Sequence, residues 1–144
     1  MQTATFTSYS PASTRNSGPS NTARWVGRFL TGIPLLFLAF DGVMKFSHLP
    51  QVVEASAKLG FRASTLPLLG AVELVAVLCI SVRRLAPFGA VLASAYLGGA
   101  VATHVSHGDP LFSHVLFPIY VAALIWGGLY LRDERIRALS PFKR

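Results

Sequence analysis

Apolar residues dominate four long stretches of the chain, and polar residues are concentrated between them. The stretches are 25–46, 64–82, 85–103 and 113–131. As helices rising about 1.5 Å per residue, they would be roughly 28 to 33 Å long, which matches the hydrocarbon core of a bilayer. The last two contain no Asp, Glu, Lys or Arg, whereas a surface helix of a water-soluble bundle needs a polar stripe. The pattern therefore predicts an all-α membrane protein with four transmembrane helices.

The composition agrees with a membrane environment. Hydrophobic residues make up 52% of the 144 residues and charged residues only 13%, about half the charged fraction of a soluble domain. The formal net charge of +7 does not indicate a nucleic-acid partner, because the basic residues lie between and beyond the apolar stretches rather than on one folded face. We therefore expect the lipid bilayer, and no nucleic acid, as the main surrounding of the chain.

Basic residues are divided unequally between the two sides of the predicted bundle. Ten of the thirteen lie in the N-terminal segment, in the loop after the second helix and beyond the fourth helix, whereas Lys45, Lys58 and Arg62 lie on the other side. Because Lys and Arg are enriched in cytoplasmic loops, this bias predicts an up-down bundle with both termini in the cytoplasm.

The remaining segments divide the chain into three regions. Residues 1–23 are rich in Ser and Thr and carry a single charge, so we predict a disordered tail. Residues 24–134 form the predicted four-helix membrane domain, and residues 135–144 a basic cytoplasmic tail. Within the membrane domain, residues 47–63 predict a short helix lying at the membrane interface, with Glu54 and Lys58 spaced as a helical ion pair.

Ionisable side chains inside the predicted helices are the candidates for function. Each costs about 2.5 to 3.5 kcal/mol at the bilayer centre on insertion scales, so its presence needs a reason. With the predicted topology they converge on the outer half of the bundle. The predicted polar pocket consists of Glu73, Lys45, His104 and Asp41, and its outer rim of His107 and His114.

Glu73 is the strongest of these candidates, because it is the only acid in its helix and lies deep. It could carry a proton or bind a polar ligand; the alternative is structural pairing with Lys45 or His104 inside the bundle. Asp41 and Lys45 have a structural interpretation as an i,i+4 ion pair. For His107 and His114 the alternative is solvation at the edges of a loop.

Other kinds of site find less support. The histidines match no HExxH-type signature or established ligand spacing, so we predict no metal site. For the same reason we predict no haem site. The single Cys79 cannot form a disulfide or a CxxC pair. No nucleophile elbow, P-loop or dinucleotide fingerprint is present, which leaves catalytic residues unassigned.

Small residues recur every four positions along the third apolar stretch. Such a ladder lets a neighbouring helix approach closely, so it predicts a packing seam rather than a ligand site. The seam residues are Ala90, Ser94, Gly98 and Ala102.

The segments that carry these residues resemble the DoxX-like family of small bacterial membrane proteins. The resemblance rests on residues 40–46, 70–74, 96–104 and 117–133, and it extends over roughly residues 24–141. It implies a four-helix bundle in the bacterial inner membrane and an association with quinone-linked redox complexes, such as those of thiosulfate oxidation. Distant relatives act as assembly or cargo factors instead.

The leading hypothesis is therefore an accessory subunit of a quinone-linked or sulfur-related redox system with membrane or soluble redox partners. We expect no bound cofactor, with contact to a quinone as the exception. The chain lacks the attached soluble redox partner of a complete quinone reductase, so we do not expect catalysis by the chain alone. The alternatives are a small transporter or proton pathway, which predicts a homo-oligomer, and a membrane assembly or stress-response scaffold.

Overall fold

The computed structural model describes residues 20–138, and this part of the chain consists of helices, turns and loops without a strand. A 3-10 turn at Ala63–Thr65 leads into the third helix, and a π-helical turn at Leu111–Val115 precedes the fifth. The α-helices are α1 (Asn21–Met44), α2 (Pro50–Lys58), α3 (Leu66–Ser81), α4 (Ala86–Ser106), α5 (Phe117–Arg132) and α6 (Glu134–Ala138).

Four helical segments of the described chain are long and apolar enough to cross a membrane. They are Asn21–Met44, Ala63–Ser81, Ala86–Ser106 and Leu111–Arg132. Large apolar side chains on them point outward: Phe29 is 67% exposed, Leu36 74% and Phe112 76%. A soluble protein would hide such a surface, whereas a bilayer solvates it. The predicted four-helix membrane fold is confirmed.

The four long helices form a closed ring of neighbours. α1 packs against α3 and α5, and α4 packs against the same two helices on the other side. Successive long helices run in opposite directions. The bundle thus has an arginine-rich end, with Arg24, Arg83 and Arg132, and a histidine end, with His104 and His114. Which end faces the cytoplasm stays a prediction.

α1 and α5 approach each other at backbone distance. A Cβ atom added to Gly27 would lie 2.6 Å from the Gly128 carbonyl oxygen, and one added to Gly128 would collide with Thr31 Oγ1. The Thr31 hydroxyl donates a hydrogen bond to the Gly27 carbonyl oxygen at 2.8 Å, so it keeps a polar partner within the close contact. Two glycines and a back-bonded threonine therefore join the first and last spans, in the way that small residues join membrane helices generally.

The predicted seam on α4 is divided between the interior and the surface. Ala90 is buried, and the Ser94 hydroxyl accepts a hydrogen bond from Trp126 Nε1 at 2.9 Å, which ties α4 to α5. Gly98 and Ala102 are exposed. The seam residues nearer the N-terminus of α4, Ala90 and Ser94, thus pack inside the bundle. Gly98 and Ala102, nearer its C-terminus, lie on the outer surface of the described chain.

The first helix begins earlier than the apolar pattern indicates. α1 starts at Asn21, inside the range 1–23 predicted as a tail, because the Ser20 hydroxyl caps it by accepting a hydrogen bond from the Ala23 backbone N–H at 3.2 Å. The rest of that predicted tail, residues 1–19, lies outside the described residues.

The region after the fourth span is also helical at its start. α6 covers Glu134–Ala138, where the sequence predicted mostly a basic tail, and Asp133 caps it by accepting from the Arg135 backbone N–H at 3.0 Å. Residues 139–144 lie outside the described residues.

The short helix predicted between the first two spans is confirmed as a helix, α2. The Glu54–Lys58 ion pair is not formed, because no carboxylate oxygen of Glu54 lies within 4 Å of the Lys58 ammonium. On an exposed helix such a pair contributes little, so its absence costs little. The position of α2 at a membrane interface stays a prediction.

Candidate functional site

Lys45 is the centre of a charged cluster that joins the end of α1 to the middle of α3. It follows the last residue of α1, and its ammonium donates hydrogen bonds to Glu73 Oε2 at 2.9 Å and to Asp41 one turn earlier in the same helix. The three side chains differ in depth: 44% of the Asp41 side chain is exposed, 11% of Lys45 and 1% of Glu73. One ammonium therefore serves two carboxylates, of which the deeper is sealed from the surface.

Tyr96 of α4 adds a third helix to this cluster. Its hydroxyl donates to Glu73 Oε2 at 3.2 Å, and the Lys45 ammonium lies 5.8 Å from the centre of its ring. This tyrosine was not among the predicted site residues. The signal was available, because a buried Tyr hydroxyl needs a polar partner, and Glu73 is the acid of the neighbouring span. We call Asp41, Lys45, Glu73 and Tyr96 the charged cluster.

Two glycines let α1 and α3 come close enough for the cluster to form. A Cβ atom added to Gly70 would lie 2.6 Å from the Gly42 carbonyl oxygen and 3.1 Å from Lys45 Cβ. Glu73 lies one turn after Gly70 in α3, and Lys45 lies one turn after Gly42 in α1. The glycine contact thus sets the helix separation at the level where the lysine reaches the carboxylate.

The second carboxylate oxygen of Glu73 is the unusual atom of the cluster. Oε2 accepts from both Lys45 and Tyr96, whereas Oε1 is buried and has no hydrogen-bond partner among residues 20–138. Buried polar atoms are nearly always hydrogen-bonded, and leaving one without a partner costs about 1 to 3 kcal/mol. Oε1 is therefore a position where a hydroxyl, a water molecule or a proton would be stabilised.

His104 belongs to a different group of residues from the one predicted. Its Nδ1 lies 2.7 Å from Asp109 Oδ2 in the loop after α4, and its ring meets that of His114 edge to face, with centroids 5.7 Å apart. The hydrogen bond from His104 lowers the pKa of Asp109. Of the two partners considered for Glu73, the structure selects Lys45.

The rim residues complete this second group. His107 Nδ1 lies 2.9 Å from the Thr103 carbonyl oxygen, and His114 contacts His104 from the turn before α5. Within residues 20–138, no three His, Cys, Asp or Glu side chains are placed to share a metal ion. The residues predicted to form one pocket and rim therefore form two groups, the charged cluster and a histidine–aspartate group at the same end.

The fold and the site together define a class: a four-helix, multi-pass membrane protein with a buried acid held by a lysine near one end of the bundle. The model of the DoxX-like family matches residues 29–128, so the chain belongs to the DoxX-like family, as the resemblance predicted. The match includes every member of the charged cluster. Comparisons with curated proteins and with solved structures gave no match.

Proposed function

We propose that this protein is an accessory membrane subunit of a quinone-linked or sulfur-related redox system, and that its charged cluster binds the polar head of a quinol. The observation that carries the proposal is the buried, unpartnered Oε1 of Glu73. The family's association with quinone-linked systems, implied by the resemblance, gives the ligand class.

The cluster presents one oriented acceptor. Lys45 and Tyr96 both donate to Oε2, so the carboxylate cannot rotate without losing two hydrogen bonds, and Oε1 keeps a fixed direction. A quinol hydroxyl is a hydrogen-bond donor on an apolar ring, which suits a carboxylate oxygen surrounded by apolar helices. A bound quinol would supply two-electron redox chemistry, while Glu73 would hold its hydroxyl and accept the proton.

The increasing burial of Asp41, Lys45 and Glu73 supports a role in proton movement. Asp41 is partly exposed, Lys45 is nearly covered and Glu73 is sealed, so the three groups form a continuous hydrogen-bonded line from the surface to the ligand position. Electrons must leave by another route, because the single cysteine of the sequence offers no thiol pair. The proposal therefore assigns electron transfer to a partner protein.

The test is Glu73→Gln, compared with Glu54→Gln on the exposed helix α2 as the matched control. Each variant is purified from native membranes in mild detergent, and quinone in the lipid extract and co-purifying proteins are quantified. Because a hydrogen bond to a charged group contributes about 1.5 to 3 kcal/mol, we expect Glu73→Gln to retain roughly ten- to a hundredfold less quinone per protein, with Glu54→Gln unchanged.

Two outcomes would contradict the proposal. Equal quinone retention and partner recovery in wild type and Glu73→Gln would show that the cluster does not contact a quinol. If wild type carries no quinone but gives a pH-dependent flux in liposomes that Glu73→Gln abolishes, the proton-pathway alternative replaces it.

A further inference from the structure

The arginine-rich end of the bundle contains a cavity that the charged cluster does not use. Its volume is about 350 Å³, at the lower limit of the range for small-molecule sites. Its polar wall comes from α1, the loop after α3, and α5 with the residues that follow it. The charged residues of the lining are Arg24, Arg28, Arg83, Arg132, Asp133 and Glu134.

None of the four arginines of this cavity forms a direct ion pair with another described residue. Among the described residues, no carboxylate oxygen lies within 4 Å of their guanidinium nitrogens, although Asp133 and Glu134 share the wall. Asp133 Oδ1 is instead engaged by the Arg135 backbone N–H. The cavity wall therefore carries a formal excess of two positive charges, and like charges gathered around one space favour an anion within it.

We propose that this cavity binds the phosphodiester headgroup of an anionic phospholipid. Guanidinium groups match phosphate oxygens with two parallel hydrogen bonds, so several arginines converging on one space are suited to phosphate. Three apolar residues, Ile80, Ala86 and Leu129, also line the cavity, and each is at most 2% exposed. The accessible part of the wall is therefore mainly polar, as a phosphate group requires.

The surroundings of the cavity favour a lipid over a soluble phosphate. Trp25 is 59% exposed, and the Arg28 guanidinium lies 5.1 Å from the centre of its ring. Tryptophan is enriched at membrane interfaces, and basic pockets between membrane helices bind anionic headgroups. Val82 and Leu85, beside Arg83, are 51% and 47% exposed, which leaves apolar surface next to the cavity for acyl chains.

The test compares binding of phosphatidylglycerol and phosphatidylcholine to the full chain by native mass spectrometry from detergent. The variant is Arg28→Gln with Arg132→Gln, and the matched control is Arg135→Gln, an exposed arginine at the same end that does not line the cavity. At about fivefold per basic residue near a lipid surface, we expect the double variant to bind phosphatidylglycerol roughly 25-fold more weakly. Arg135→Gln should retain wild-type binding.

Three results would overturn the proposal. Wild type could bind phosphatidylcholine as well as phosphatidylglycerol, a test that stands even if the double variant fails to fold. The double variant and Arg135→Gln could lose affinity equally, which would indicate general surface attraction. Inorganic phosphate at millimolar concentration could displace phosphatidylglycerol completely, which would identify a free-phosphate site rather than a lipid site.

Discussion

The two ends of the bundle differ in how their positively charged side chains are paired. At the histidine end, one lysine lies between two carboxylates, and a tyrosine supports the deeper one. At the arginine-rich end, four arginines surround a cavity, and none of them has a carboxylate within 4 Å among residues 20–138. In the first arrangement the lysine has carboxylate partners on both sides, and the cluster keeps a formal excess of one negative charge. In the second, the four arginines outnumber the two acids of the same wall, which favours an anion from outside.

This difference shows why a count of charges does not locate function in a membrane protein. The cation with internal partners is a structural element whose loss leaves acids buried, whereas cations without partners are available for binding. Loss of charge at the two ends should therefore affect different quantities: stability at the histidine end and lipid binding at the arginine-rich end.

The largest effect on stability should come from Lys45→Met. Removing the ammonium leaves the sealed Glu73 carboxylate without its counter-charge, and breaking a buried pair in this way costs about 3 to 5 kcal/mol. Unfolding in mixed micelles, followed by circular dichroism as the denaturing detergent increases, measures the change. Arg83→Met at the other end is the control, and we expect it to stay within about 0.5 kcal/mol of wild type.

The double variant Lys45→Met with Glu73→Leu tests the cause of that loss. Because it removes both charges and leaves apolar side chains, it should be more stable than Lys45→Met alone. A double variant as unstable as the sum of its single changes would mean that the two residues do not interact energetically, and the contrast between the ends would lose its basis.

A smaller effect is expected from Gly70→Ala. The new Cβ atom would lie 2.6 Å from the Gly42 carbonyl oxygen, so α1 and α3 must separate, at a cost of about 1 to 3 kcal/mol. The same unfolding measurement checks it. Gly98→Ala is the matched control, since nothing lies within 4 Å of its new methyl group, and the better helix propensity of alanine should stabilise it slightly. Equal effects of the two changes would contradict the close approach of the helices at the charged cluster.

The smallest effect concerns the histidine–aspartate group. The hydrogen bond from His104 lowers the pKa of Asp109 below its ordinary value of 3.8. Because the folded pKa is the lower one, the stabilisation is complete above pH 3.8 and is lost as the pH falls through the lowered value. Titration of carboxyl-labelled aspartate by NMR should give a midpoint below 3.8, and His104→Gln should return it toward 3.8. An unchanged midpoint in His104→Gln would show that another group lowers the pKa.

The sequence predicted the fold well because lipid imposes a simple rule. Long apolar stretches must be helical in a bilayer, so the four spans and their alternating directions follow from the pattern alone. Errors occurred where a single side chain decides the outcome. The Ser20 hydroxyl extends α1 beyond the apolar pattern, and Asp133 starts α6 within a segment that reads as a basic tail.

The candidate site was harder to predict, because helix rotation is not encoded in hydrophobicity. Lys45 pairs with Glu73, which is one of the two pairings expected for this acid. The pair forms because Gly42 and Gly70 bring their helices together. His104 instead pairs with Asp109, a loop residue outside the predicted pocket. Tyr96 was not predicted, because an aromatic residue in an apolar span indicates packing before it indicates a hydrogen bond.

The glycine contact between Gly27 and Gly128 has a consequence for biosynthesis. The helices it joins are the first and the fourth of the four long helices, and about 100 residues separate the two glycines. At about 5 to 20 residues per second, roughly 5 to 20 seconds elapse between them. During that interval the Gly27 face of α1 has no α5 to pack against, so the ring of four long helices can close only after the fourth of them has been made.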